Sequence, residues 1–137
     1  MKSCLGDVQK AVFGILTGDT TLMGLVSGVF DGAPQNQAFP YVTIGEQTSV
    51  PFRAHDTAGE ETTITIHIWS KNPNFGPGSY KEALTILDEV NRLLGDKGIT
   101  VTGYNVVWSF FEFSQAMLAD DEVRHVAAQY RIILQEV

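Results

Sequence analysis

The chain has 137 residues, 44% hydrophobic and 18% charged, with a net charge of −7 and a pI of about 4.7. That length supports one core and a single domain over 1–137, and with no Lys/Arg cluster the main affinity is not for DNA phosphates. The one cysteine, Cys4, excludes an internal disulfide and any multi-Cys zinc site.

The start, Met1 to Asp7, has no apolar signal core because Gly6 and Asp7 interrupt it. Apolar runs stay far below the ~20 residues that span a bilayer. A soluble, intracellular chain is expected.

Leu5, Val8, Val12, Ile15 and Leu16 fall on one stripe at helical spacing, and Gly18 stops that helix. Asp19 or Thr20 can cap a short second helix carrying Leu22, Leu25 and Val26. Val29-Phe30 reads as a short strand running into the Asp31-Gly32 turn. Tyr41 to Val50 forms a strand with Val42 and Ile44 on one face, and Pro51 to Gly59 is a loop or an extended hairpin tip. Thr62 to Ser70 alternates strictly, with Ile64, Ile66 and Ile68 against Thr63, Thr65, His67 and Trp69. These two strands form an antiparallel hairpin.

A loop over 72–78 leads to Ser79-Tyr80-Lys81-Glu82, which has the spacing of a capping box. The helix it opens carries Tyr80, Ala83, Leu84, Leu87, Val90, Leu93 and Leu94 and ends at Gly95. Ile99-Thr100-Val101 leads into a turn at Thr102-Gly103, and a long strand follows from Tyr104 to about Gln115. After the Asp120-Asp121 turn, the last strand puts Val126, Ala128, Tyr130, Ile132 and Leu134 inward and His125, Gln129 and Arg131 outward. The order predicts an α+β fold, an antiparallel β-sheet with helices packed on one face.

The strand from Tyr104 does not fit a half-solvated sheet. Val106, Trp108 and Phe110 line one side, and Val107, Phe111 and Phe113 line the other. Either both faces are covered within the subunit or a partner covers one.

No catalytic, cofactor or metal constellation emerges. His55, His67 and His125 are the only histidines, and they lack the spacing of ligand pairs. His55-Asp56 has no nucleophile elbow to serve. Gly76-Pro77-Gly78 lacks the lysine of a phosphate loop. The partner-interface candidates are Arg53, His55 and Asp56 in the hairpin tip, whose bland alternative is a surface loop without a role, and the strand aromatics Trp69, Trp108 and Phe110. For the tryptophans, an interface anchor and a half-buried core role are both open.

Three segments together resemble a known family. These are Val29 to Gln35, Phe39-Pro40-Tyr41-Val42-Thr43-Ile44-Gly45-Glu46, and Thr63 to Ser70 with its His67-Ile68-Trp69-Ser70 end. Their order, after an amino-terminal helix and before a helix and two long strands, is similar to the tail-completion (tail-to-head joining, or tail terminator) family of siphophages. The resemblance implies a homohexameric ring that caps the tail tube and docks it to the head connector, with no cofactor and no enzymatic activity. It also implies placement in the virion at the head–tail junction, after assembly in the host cytoplasm.

Such a ring would contact itself, the major tail tube protein and a connector or stopper protein. DNA would pass through without specific binding, since an acidic lumen offers nothing to release its counterions. Glu60, Glu61, Asp120, Asp121 and Glu122 are the candidate lumen charges. The alternatives are another head–tail adaptor, such as a connector stopper, or a small ligand-binding or hydrolytic α+β domain.

Overall fold

The computed structural model describes residues 3–54, 57–71, 79–120 and 122–136. Its elements are α1 (Leu5–Thr17), α2 (Thr20–Leu25), β1 (Val29–Phe30), β2 (Tyr41–Ala54), β3 (Thr57–Ser70), α3 (Lys81–Leu94), β4 (Lys97–Gly98), β5 (Tyr104–Leu118) and β6 (Arg124–Glu136). One six-stranded sheet runs in the order β1-β2-β3-β6-β5-β4. Only the short β1–β2 pair is parallel; β2–β3, β3–β6, β6–β5 and β5–β4 are antiparallel.

Alternation decides which face is covered. Val126, Ala128, Tyr130, Ile132 and Leu134 of β6 are buried, as are Ile64, Ile66 and Ile68 of β3 beside them. The helices lie on this face. α1 contributes Val8, Val12 and Leu16, and α3 contributes Ala83, Ile86, Leu87, Val90 and Leu94. Each of these Val, Leu and Ile side chains taken from water stabilises the fold by roughly 1.5–3 kcal/mol before entropy is counted. Tyr130 is wholly buried; its hydroxyl donates to Asn91 Oδ1 on α3, and burial pushes its phenol upward. The amino end is fastened to the same layer. Gln47 Nε2 donates to the Leu5 carbonyl at 3.0 Å, and the Cys4 thiol sits inside, raised to about 12 by burial and by Glu60.

The turns follow the local chemistry. Gly18 follows α1, and the Asp19 carboxylate accepts the Leu22 N–H at 2.9 Å to cap α2. Asp120 accepts the amides of Glu122 and Val123 at 2.9 and 3.0 Å, closing the β5–β6 turn. Gly103, with φ +95°, makes the turn into β5.

Several expectations are corrected. The capping box does not form at the spacing expected. The N-cap of α3 is Tyr80 without a side-chain cap; Ser79 Oγ accepts from Lys81 N instead. Glu82 turns to the sheet and accepts from the Ser70 hydroxyl at 2.5 Å. On α3 it is Ile86 that enters the core, while Leu84 stays exposed. Of the two readings of Pro51 to Gly59, the extended hairpin holds. β2 and β3 pair as far as Ala54↔Thr57, and this arm projects beyond β6, whose pairing with β3 ends at Gly59↔Gln135. Finally, a register shift between Phe111 and Phe113 moves Phe113 to the face of Trp108 and Phe110. An extra residue in one strand re-aims every side chain beyond it.

Candidate assembly interface

The face of the sheet opposite the helices is uncovered among the described residues. Trp108 is 45% and Phe113 51% exposed on β5, and Val50 is 62% exposed at the root of the arm. Coverage of both faces of β5 within the subunit is therefore not what the chain achieves. Two side-chain clusters occupy this surface.

The first lies over β2, β3 and β6. Trp69 stacks on His125, with ring centroids 4.0 Å apart and planes inclined by 6°. Tyr41 is stacked beyond it at 6.3 Å, and the indole N–H donates to Thr43 Oγ1 at 3.1 Å. His125 Nε2 and His67 Nδ1 are 2.7 Å apart, and His67 Nε2 is 2.9 Å from Glu46 Oε1. With both rings neutral, each can donate one proton along this chain, His125 to His67 and His67 to the carboxylate. Burial, and then the neighbouring His67, push the His125 imidazole down, while Glu46 pulls it up. The His67 hydrogen bond holds the Glu46 carboxyl below its usual range. Thr43 Oγ1 takes the Trp69 N–H rather than that of a histidine, and among the described residues no group of His, Cys, Asp or Glu could hold a metal.

The second cluster lies over β6 and β5. Arg131 sits 5.0 Å above the Phe110 ring and pairs with Glu61 at 3.0 Å. Trp108 is 6.2 Å from Phe110, and Phe113 continues the strip. An apolar strip with a guanidinium over one of its rings is a composition that protein interfaces favour.

Of the residues singled out from sequence, Trp69, Trp108, Phe110 and Glu61 share this face. Arg53 is exposed on the arm. Asp120 closes the β5–β6 turn, and Glu122 pairs with Lys71 at 2.9 Å. Glu60 is a correction: it is 4% exposed on the helix side, with one carboxylate oxygen unpartnered, so it cannot present charge to a channel. Strict alternation from Glu61 already places Glu60 on the opposite face. His55, Asp56 and Asp121 lie outside the described residues. Sequence reasoning missed Tyr41, Glu46 and Phe113 as members of this face. Alternation puts His125 outward, but its contact with His67 and Trp69 depends on β3 and β6 being neighbours.

A model of the tail completion protein gp17 family matches residues 10–135. The chain belongs to that family. Tail completion protein gp17 of Bacillus phage SPP1 is 29% identical over 116 residues, covering 85% of this chain and 82% of the relative. The solved structure of SPP1 gp17 superposes with a TM-score of 0.59 at 24% identity, covering 93% of this chain and 88% of that one. A chain from the virion of a native gene transfer agent particle superposes more closely, with a TM-score of 0.84 at 19% identity over 98% of this chain and 99% of that chain. The gp17 family is one of structural phage tail proteins, and this chain is a structural component of the virion tail. The fold these chains share is the α+β sheet described above.

Proposed function

We propose that this gp17-family chain is a tail terminator or tail-to-head joining subunit. It forms a homohexameric ring that caps the tail tube and docks it to the head connector, without catalysis or a cofactor. The observation that carries the reading is the uncovered aromatic sheet face of a chain whose family completes phage tails. A subunit that leaves Trp108 and Phe113 half in water is unfinished until another surface covers them. A growing tube likewise exposes unsatisfied contacts at its end, and a ring of matching symmetry stops addition by covering them.

The partners in this reading are further copies of the chain, the major tail tube protein and the connector or stopper. Asp120, Asp121 and Glu122 supply negative charge toward the channel, so DNA slides past without being held; Glu61 belongs instead to the aromatic face, where Arg131 pairs with it.

Electron microscopy of lysates from a phage or prophage deleted for the gene tests this. Full heads beside unattached, overlong tails are expected. Unattached tails of normal length would reduce the role to joining. Intact, infective virions would sink both.

A further inference from the structure

Both long flanks of the sheet are open. β1 pairs with β2 only at Val42 and Thr43, and β4 pairs with β5 only at Trp108 and Ser109. Among the described residues, no strand pairs with β2 beyond Thr43 or with β5 beyond Ser109 on these outer edges. An unpaired edge of this length is a template for another strand. The β5 edge is lightly protected: apart from its bulge and Glu112, the run from Glu112 to Leu118 has no proline and no lysine, and it exposes Phe113 and Leu118.

We propose that the β5 edge of one copy pairs with the β2 edge of the next, which makes the ring one continuous sheet. This rests on the ring reading above and adds the surface that closes it. Three features select a second copy as the occupant, the register following from the charge pair.

The first is direction. β2, β3, β6 and β5 alternate in sense, so β5 runs opposite to β2. In a head-to-tail ring the next copy's β2 keeps the sense of this one, so the new pair is antiparallel like its neighbours.

The second is charge. Arg53 is the only charged residue from Gln47 to Ala54, and Glu112 is the only one from Glu112 to Leu118. Both are exposed, and among the described residues neither has an ion-pair partner.

The third is register. Antiparallel pairing that sets Arg53 opposite Glu112 also sets Gln47 opposite Leu118. It thus runs from the bulge of β2 nearly to its end, and from the bulge of β5 to its end. It keeps faces matched: Val50 meets Gln115 and Thr48 meets Met117 on the uncovered side, while Ser49 meets Ala116 on the helix side. A slip of one residue would break that match.

The test uses the complete phage or prophage, with the gene replaced by variants. Arg53→Glu alone and Glu112→Arg alone each set like charges opposite one another and should lower the yield of joined, infective particles by about tenfold or more. The double reversal should restore it. Arg53→Cys with Glu112→Cys, oxidised in purified particles, should give a ladder of this chain's own multiples. Normal particles from both single reversals, or failure of the double to rescue, would overturn the pairing. So would a cross-link to a tail protein of another mass. If the cysteine variant completes tails but never cross-links to itself, edge pairing fails while the ring reading stands; the gene deletion alone decides that reading.

Discussion

Gly45 shows how much of this molecule turns on single side chains. A Cβ there would run into the His67 imidazole, so glycine leaves the space in which His67 reaches both Glu46 and His125. That arrangement has a pH signature. His125 is held below the ordinary 6.5 of histidine, chiefly by burial. As pH falls through 6.5, the unfolded chain takes up this proton first. Stability therefore declines from neutral pH downward, then levels once folded His125 also protonates. His125→Phe keeps a ring against Trp69 and removes the titration. Scanning calorimetry between about pH 7.5 and 5.5 should show a smaller loss of Tm in the variant than in the parent; equal losses would refute the assignment. On the covered face the aliphatic positions turn on packing. Ile66→Ala should cost about 2–5 kcal/mol in urea unfolding, because Ile66 is wholly enclosed. Val50→Ala, at an exposed site, should cost little.

At the scale of elements, Asp19 ties two helices with one carboxylate. It caps α2 through Leu22 N and accepts from Arg92 of α3 at 2.6 Å. Arg92, itself held by Glu89 at 2.7 Å, is the first cause of the lowered Asp19 carboxyl. Asp19→Asn keeps an acceptor for the Leu22 amide and loses the charge; Asp19→Ala loses both. The expected order of Tm is parent, then Asn, then Ala. Equal values for Asn and Ala would show that the cap contributes nothing.

The elements themselves were largely legible in the chain, because a period of two over Val126 to Leu134 and a helical stripe over Leu5 to Leu16 are signals of burial, which dominates the energetics. What escaped were the places where one residue breaks the period. Gly45 hints at the bulge in β2, as glycine inside a strand often does. Glu112, between two phenylalanines, gives no such hint, so plain alternation puts Phe113 on the wrong side. The parallel β1–β2 pair and the meeting of His67 with His125 depend on strand order, which local patterning does not encode. The surface candidates fared by the same rule. Trp69, Trp108, Phe110 and Glu61 came to one face because they sit on intact alternation, whereas Glu60 was chosen for its charge against its parity.

For the whole molecule, the arm separates folding from assembly. A two-stranded ribbon adds little stability by itself, and the core lies under β3 and β6, short of the arm's tip. Replacing residues 53–58 by Asn-Gly, a two-residue turn after Phe52, should therefore leave Tm within a few degrees. It should abolish joined particles, because the cationic end of the β2 edge is gone. Normal joining by this shortened chain would show that the arm has no part in assembly.

The buried Cys4 thiol, raised to about 12, has a consequence for experiment. At neutral pH a thiol of that kind is ionised in only about one molecule in 10⁵ and is shut away from reagents as well. Alkylation then proceeds only when the amino-terminal helix lifts from the sheet, and each labelled chain records one such opening. Because Cys4 is the chain's only cysteine, the native protein carries its own clock. Read by mass spectrometry on free subunits and on intact particles, that clock measures how far incorporation into a virion slows the loosening of the fold.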